Sequence, residues 1–145
     1  MKLDETDLKI LDLLKGNGRI QNNEIASRLS ISEGTVRNRI KKLIDNDFLS
    51  IKGLVNPDKI QNKQIILIGV RISDSKKMEK TGQYMSSLKD VVAVYMVTGS
   101  FDLFVEVFIE PQNLLEFLSV DLAKIDDQIL NTESFIVMKS YKKWI

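Results

Sequence analysis

The segment from position 24 to 43, EIASRLSISEGTVRNRIKKL, constrains the fold of this chain more than any other. Its apolar residues recur at helical spacing on both sides of the short break Ser30–Ser32, which predicts two short amphipathic helices joined by a tight turn. Ser32 can N-cap the second helix, and Ala26 is small enough to permit a close helix crossing. Two helices packed at a steep angle would bury the apolar set: Ile25, Ala26, Leu29, Ile31, Val36, Ile40 and Leu43.

The second predicted helix has one apolar side and one polar, basic side. With 3.6 residues per turn, Val36 and Leu43 share one side, and Asn38 and Lys41 lie on the other. The region 19–43 carries six basic and two acidic residues, a local charge of +4. Phosphate binding requires such a local excess of positive charge. We therefore predict a helix-turn-helix that enters a DNA groove, the alternative being an ordinary helical hairpin with a solvated charged face.

The candidate DNA contacts follow from hydrogen-bond chemistry. Arg37 and Lys41 can donate to guanine edges, and Asn38 can read adenine through its amide. Ser32 and the first amides of the second helix suit a phosphate. Arg39 lies nearer the buried side, and either DNA contact or a structural ion pair would explain it. The predicted DNA-binding set is Ser32, Glu33, Thr35, Arg37, Asn38, Lys41, Lys42 and Arg28, with Arg28 and Lys42 assigned to phosphates.

Composition removes most enzymatic chemistry. The chain has no cysteine and no histidine, so thiolate nucleophiles, Cys/His zinc sites and imidazole acid–base catalysis are unavailable. We expect neither an enzyme nor a bound cofactor. Lys plus Arg total 21 against 20 for Asp plus Glu, so any attraction to DNA must be local. The start MKLDETDLK lacks the pattern of a signal peptide, and the longest apolar stretch is too short to span a bilayer, which predicts a cytoplasmic protein without a membrane partner.

The first part of the chain predicts a three-helix DNA-binding domain over residues 1–50. Asp4 can cap a first helix that runs to about Lys15, with Leu8, Leu11 and Leu14 on one stripe. The β-prone segment FLSIKGLV and the polar stretch NPDKIQNKQ follow. They predict a wing or extended β-arm and a hinge over residues 51–63, which would make the domain a winged helix-turn-helix.

Residues 64–145 predict a ferredoxin-like sandwich in the order βαββαβ, so the whole chain falls in the α+β class. The predicted elements are the strand QIILIGVRIS, a helix from Asp74 or Ser75 to about Leu88, the strands VVAVYMVTG and LFVEVFIE in an antiparallel hairpin, a helix from Pro111 with Leu114, Leu115, Leu118, Leu122 and Ile125 on its apolar face, and a strand from Ile129 to Lys139.

A sheet with helices on one side leaves its other face open. The strands supply more apolar side chains than one helical layer needs, which predicts that the open face pairs with a second copy of the chain. Scattered exposed apolar residues are the alternative. The residues that support this prediction are Val70, Val94, Met96, Val105, Val107, Ile136 and Met138.

Three motifs together resemble the Lrp/AsnC family of transcription regulators. They are LDETDLKILDLLKGNGRIQNNEIASRLSISEGTVRNRIKKL, VYMVTGSFDLFVEV and TESFIVMK, and the resemblance runs from Leu3 to about Lys142. It implies operator binding as dimers, assembly into octamers or other multiples of dimers, and a response to amino acids. The family usually has glycine at the position of Ser30, so the backbone there must either tolerate a left-handed conformation or bend differently, and glycine is also common at the position of Asp47. Gln21 replaces the usual cap of the second helix, with Asn22 as a possible substitute.

The resemblance also implies an effector pocket between dimers. A free amino acid has a carboxylate and an ammonium group, and the turn from Gly99 to Asp102 offers partners for both. The alternative is that Asp102 only satisfies its own turn, with Gly99 supplying a positive φ. The residues implied to form or border the pocket are Thr98, Gly99, Ser100, Phe101, Asp102, Thr132 and Ser134.

The expected function is sequence-specific regulation of transcription, modulated by a small effector such as an amino acid. A symmetric dimer presents two recognition helices to successive major grooves, which implies a palindromic operator with half-sites about one helical turn apart. An effector-independent DNA-organising protein or local repressor of the same fold is the main alternative. A metabolite-binding module without DNA binding fits less well, because the basic residues of the recognition helix are present. Haem-pathway decarboxylases that resemble the family depend on histidine, which this chain lacks.

Overall fold

The computed structural model describes the backbone of residues 1–145 and every side chain except that of Asp126. The chain folds as two compact units, Met1–Gly53 and Leu54–Ile145. Within the described chain, every helix is too short or too polar to cross a bilayer.

The first unit consists of three helices: α1 (Glu5–Gly16), α2 (Asn22–Leu29) and α3 (Glu33–Asp45). Their apolar sides meet in one core, as the helical periodicity predicts. Leu8 is an exception, since its side chain is 55% exposed. The inward stripe of α1 passes through Asp7, Ile10 and Leu14, and Leu8 falls about 100° away from Asp7. The buried residues are Ile10, Leu14, Ile20, Ile25, Ala26, Val36 and Leu43.

The turn between α2 and α3 depends on one left-handed residue. Ser30 adopts φ 54° and ψ 44°, which is the left-handed one of its two alternatives, and Asp47 has a positive φ of 59°. Ser32 caps α3 as predicted. The N-cap of α2 is Gln21, which makes no side-chain capping bond, and Asn22 is already the first helical residue. The predicted capping role of Asn22 is therefore wrong.

The sequence left a wing and an extended arm open for the segment after α3, and the structure matches the arm. Residues 46–56 contain neither helix nor strand, and a short 3₁₀ turn follows at Pro57–Lys59. A strand needs a neighbouring backbone for its hydrogen bonds, and the described chain offers this segment little pairing. Val55 and Ile145 form a reciprocal pair, with N···O distances of 2.7 and 3.1 Å. The segment is thus an extended arm whose last part belongs to the second unit.

The second unit is built on a four-stranded antiparallel sheet in the order β2-β3-β1-β4. The strands are β1 (Gln64–Ile72), β2 (Val91–Met96), β3 (Leu103–Ile109) and β4 (Ile129–Ile136). Strand β1 lies between β3 and β4, with Val70 opposite both Leu103 and Thr132. This is the predicted ferredoxin-like arrangement.

Two helical segments cover one face of the sheet. The first is a 3₁₀ turn at Ser75–Lys77 followed by α4 (Met78–Ser86). The second is irregular and combines a 3₁₀ turn at Pro111–Asn113, α5 (Leu114–Glu116), a π-turn at Phe117–Asp121 and a 3₁₀ segment at Leu122–Gln128.

The π-turn changes which residues of the second helical segment face the core. Phe117 is buried, whereas Leu115 is 74% exposed, so the prediction that Leu115 faces inward is wrong. A π-turn widens the helix by one residue per turn and shifts the positions around it. Leu122 and Ile125 are buried as predicted, and Leu114 and Leu118 pack against the core.

The open face of the sheet carries different residues from those predicted. Val70, Val105 and Val107 are fully buried under the helices, because they share a face with Ile66 and Ile68. Val94 packs against the same core, Met96 and Ile136 lie opposite Leu103 and Ile66 on the helix-facing side, and Met138 follows β4 at 89% exposure. The open face instead carries the residues of the alternate register: Leu67, Gly69, Tyr95, Phe104, Glu106, Phe108 and Phe135.

Candidate functional site

Helix α3 presents a polar side whose orientation is fixed by its buried side. Val36 and Leu43 are fully buried, while Thr35, Asn38 and Lys41 are exposed. At the start of the helix the Ser32 hydroxyl accepts a hydrogen bond from the Thr35 amide at 3.1 Å. The Thr35 hydroxyl lies 2.8 Å from that of Ser32. The cap therefore leaves two hydroxyls beside the positive end of the helix dipole, where a phosphate is favoured.

The predicted basic residues divide into paired and unpaired groups. Arg37 bonds Glu33 at 2.7 Å, and Arg28 bonds Glu24 at 2.6 Å, in exposed i,i+4 pairs. Exposed pairs of this kind contribute little stability. Among the described side chains, neither Lys41 nor Lys42 has a carboxylate within salt-bridge distance. These lysines are the more available cations, and Glu33 acts here as the partner of Arg37.

Arg39 is part of the protein's own framework. Its Nη1 atom donates to Asp4 and to Asp7, each at 2.7 Å, and so joins α3 to the first turn of α1. Asp4 and Asp7 also form a reciprocal capping box. The Asp7 amide and the Arg39 guanidinium lower the pKa of Asp4. Hydrogen bonds to Asp4 and Asp7 raise the pKa of Arg39. Of the two roles that the sequence left open for Arg39, this geometry matches the structural ion pair.

A groove of about 470 Å³ runs along α3 beside the start of the chain. Asn38 and Lys42 lie on one side, and Lys2 lies on the other. Sequence reasoning missed Lys2, because nothing in its neighbourhood marks it as adjacent to α3. Its ammonium group adds to the positive charge near the exposed side of the helix.

The predicted effector residues of the β2–β3 hairpin come together in one turn. Gly99 has φ +126°, which only glycine adopts without strain. The Asp102 amide donates to the Val70 carbonyl at 2.9 Å, and the carboxylate Oδ2 accepts from the Ile72 amide at 2.7 Å. Asp102 thus secures the turn to β1 rather than only to itself. Among the described residues, its second oxygen Oδ1 has no hydrogen-bond partner. Thr98, Gly99 and Ser100 are exposed.

Thr132 and Ser134 lie across β1 from this turn. They stand opposite Val70 and Ile68 and share the helix-facing side of the sheet. Thr132 borders a cavity of about 330 Å³ together with Ser119, Leu122 and Asn131. The turn lies on the other side of β1. Within one chain, the two groups of predicted effector residues therefore border different surfaces.

The open face holds an ionic pair that sequence reasoning missed. Glu106 is 5% exposed, and its carboxylate lies 2.8 and 3.1 Å from the Lys143 ammonium. The Tyr95 hydroxyl lies 3.3 Å from Oε2, while Oε1 is buried without a hydrogen bond of good geometry. The isolated acid inside the apolar strand LFVEVFIE was the available signal. Its partner is 37 residues away in sequence, beyond the reach of any periodicity.

Two family models match the chain, one for each unit. Residues 3–50 match a winged helix-turn-helix DNA-binding model, and residues 64–144 match the Lrp/AsnC ligand-binding domain. The second match alone covers more than half of the chain. The helix-turn-helix and the sandwich described above are thus the two parts that these models represent.

Individual relatives agree with the family models. The transcriptional regulator Ptr1 of Methanocaldococcus jannaschii is 39% identical over 101 residues, covering 69% of this chain and 68% of its own. The proline dehydrogenase transcriptional activator of Rhizobium radiobacter is 30% identical, covering 97% and 92%. A Neisseria meningitidis regulator solved in complex with L-Met has a TM-score of 0.72 at 25% identity, covering 98% and 94%. These relatives are regulators rather than enzymes, and the chain belongs to the Lrp/AsnC family of transcriptional regulators.

Proposed function

We propose that this regulator binds a palindromic DNA operator as a symmetric dimer, with α3 as the recognition helix. The observation that carries the proposal is the exposed side of α3. There Asn38, Lys41 and Lys42 are exposed, and among the described side chains neither lysine has an ion-pair partner. Asn38 reads a base and Lys41 contacts a base or phosphate, while Arg28, Lys42, Ser32 and Thr35 position the phosphates. Arg37 exchanges Glu33 for DNA on binding, because the exposed pair holds it only weakly.

The dimer forms through the open face of the sheet. That face carries exposed aromatic side chains, including Tyr95 at 46% and Phe135 at 40% exposure. Apolar surface of this kind gains free energy when a second copy covers it. The division of labour is then DNA binding by residues 1–50, a hinge at 51–63, and effector binding and assembly by residues 64–145.

An amino acid bound at the β2–β3 turn modulates DNA binding or assembly. The free Asp102 oxygen suits an ammonium group, and the exposed Ser100 hydroxyl suits a carboxylate. The Neisseria regulator bound to L-Met supports an amino-acid ligand for a domain of this type. Thr132 and Ser134 face another surface within one chain, and they contribute to the effector site at the contact between dimers.

The DNA part is tested by measuring binding to single-base variants of an operator selected from random sequence. We expect Lys41→Ala to weaken binding to specific and random DNA alike, since it removes a charge. Asn38→Ala should relax the preference at one base position by about 1–3 kcal/mol. Lys15→Ala and Asn23→Ala, exposed residues of α1 and α2, are the matched controls. A uniform loss for Asn38→Ala would exclude base reading by that residue.

The effector part is tested by thermal shift with the twenty amino acids, L-methionine first, followed by light scattering. Asp102→Ala also removes the bond to the Ile72 amide, so Asp102→Asn is the sharper variant: it keeps an acceptor and loses the charge. We expect Asp102→Asn to abolish the shift while leaving a folded protein that binds DNA. Unchanged ligand affinity in titration calorimetry would remove Asp102 from the site.

The second candidate function is an effector-independent DNA-organising protein or local repressor. The observation in its favour is that one Asp102 oxygen already serves β1, which gives the residue a structural reason to be present. DNA binding without a thermal shift by any amino acid would support this alternative.

A further inference from the structure

Phe101 belongs to the β2–β3 turn, but its ring lies on the open face of the sheet. The ring sits directly over Gly69 of β1, where a Cβ atom would stand 2.8–2.9 Å from Cγ, Cδ1 and Cδ2 of the ring. Contacts that short do not occur between real side chains, so the ring can occupy this position only because Gly69 has no side chain. We call the space over Gly69 the seat of the ring. Any other residue at position 69 would displace Phe101.

The seated ring completes a cluster of aromatic side chains on the open face. Its centroid lies 5.4 Å from that of Phe104 and 6.2 Å from that of Phe135, both in edge-to-face geometry. Phe104 and Phe135 are themselves 6.3 Å apart. We call these three residues the aromatic cluster. It draws on β3, β4 and the turn, so the position of one ring sets part of the shape of the face.

The residues around Phe101 connect its ring to the predicted effector groups. Asp102 holds the turn to β1 through the Val70 carbonyl and the Ile72 amide. On the other side, Ser100 is exposed and Gly99 takes the left-handed conformation that lets the chain reverse. A displacement of this short turn must carry the Phe101 backbone with it, and the stiff side chain follows.

We propose that Phe101 is a positioning residue that couples occupancy of the turn to pairing of the open sheet face with a second copy of the chain. The turn has two states, one with the ring seated on Gly69 and one with the ring displaced. A ligand held by Ser100 or Asp102 binds these states with different affinity, so it shifts the balance between them. The coupling is reciprocal: pairing of the faces changes the affinity of the turn for its ligand by the same factor. This inference rests on the effector turn and the dimer face of the proposed function.

The decisive variant is Gly69→Ala, which fills the seat with one methyl group. Gly82→Ala is the matched control, because the nearest atom to its added Cβ is 4.0 Å away, an ordinary contact. Self-association of the full chain is measured by sedimentation velocity, and hydrogen exchange reports on the Ile72 and Asp102 amides, whose acceptors secure the turn. We expect Gly69→Ala to weaken self-association about tenfold, within the usual range of allosteric coupling, and to accelerate exchange at both amides. Gly82→Ala should change neither.

Gly99→Ala tests the coupling from the turn. An alanine at φ +126° is strained, so the turn shifts while every residue of the sheet stays unchanged. We expect weaker self-association here as well. If Gly69→Ala weakens association but leaves both amides protected, or if Gly99→Ala leaves association at the wild-type level, Phe101 is only part of the face and the coupling is overturned.

The ligand-free measurements separate this inference from the proposed function. A wild-type chain that stays monomeric contradicts both the proposed dimer and the coupling. A wild-type dimer whose association is the same in Gly69→Ala and Gly82→Ala overturns the coupling alone. When no free amino acid shifts the melting of the wild type but both glycine variants behave as expected, the coupling stands and the proposed effector is wrong.

Discussion

The helical unit and the sheet unit each bury a carboxylate, but they neutralise it in different ways. Asp7 of α1 is 3% exposed, and its carboxylate accepts hydrogen bonds from the Arg39 guanidinium and from the Asp4 amide. Glu106 of β3 is 5% exposed and relies on Lys143, with one oxygen lacking a hydrogen bond of good geometry. The first arrangement satisfies its charge within a network, and the second leaves part of the desolvation cost uncompensated. Similar burial therefore accompanies a fully hydrogen-bonded carboxylate in the helical unit and an incompletely hydrogen-bonded one in the sheet unit.

The largest expected effect is that of Arg39→Ala. It leaves Asp7 buried without its cation and removes the ionic link between α1 and α3, which should cost about 2–3 kcal/mol of unfolding free energy. Urea unfolding followed by far-UV circular dichroism would show the loss in the helical unit. Fluorescence of Trp144, the only tryptophan, reports on the sheet unit and should keep its midpoint. Arg37→Ala, which breaks only an exposed pair, is the control. Equal stability of the two variants would show that the bonds of Arg39 to Asp4 and Asp7 do not stabilise the helical unit.

An intermediate effect is expected for Lys143→Ala, about 1–2 kcal/mol, because Glu106 loses the one cation that lies within salt-bridge distance of it among the described side chains. Glu106→Gln should be close to neutral, and the double variant should recover most of the loss, since it removes the unpaired charge. Trp144 fluorescence in urea measures all three, with Lys142→Ala as the control. A double variant as unstable as Lys143→Ala alone would show that the lysine stabilises by packing rather than charge.

The smallest effect concerns acid. The Asp7 amide and the Arg39 guanidinium hold the pKa of Asp4 below its ordinary value of 3.8. A carboxylate with a lowered pKa adds stability above its unfolded value and loses it as the pH falls through its folded value. As the pH drops below 3.8, the melting temperature of the helical unit should therefore decrease. The decrease should be less steep in Asp4→Asn than in the control Asp12→Asn. If the melting temperatures of the two variants fall equally steeply with pH, Asp4 is not the source of the acid sensitivity.

The local part of this structure could be predicted from the sequence. The helices, the Ser32 cap, the left-handed Ser30 and the exposed side of α3 depend on neighbours within a few residues, and periodicity reveals such contacts. The βαββαβ order of the second unit followed from the alternation of strand and helix patterns. The residues of the open face could not be predicted in this way, because alternation along a strand does not show which of its two sides the helices will cover.

The missed features depend on partners far along the chain. Leu115 faces outward just before a π-turn that local periodicity does not predict. The choice between a wing and an extended arm after α3 stayed open, since it depends on whether a distant strand pairs with that segment. Asp102 bonds an amide 30 residues earlier, and Glu106 meets Lys143 37 residues later. Long-range pairs of this kind depend on the topology of the fold. The topology therefore also determines whether a predicted site residue stabilises the fold through such a pair.

The central place of β1 has a consequence for how the protein is made. Strand β1 leaves the ribosome first among the strands but pairs with β3 and β4, so both of its edges stay unpaired until residues 103–136 have been synthesised. The helices of the first unit need only local contacts and can fold during that interval. A nascent chain therefore carries a finished α3 before its sheet can close. Pauses in translation after residue 72 would expose the apolar strand IILIGV and favour aggregation.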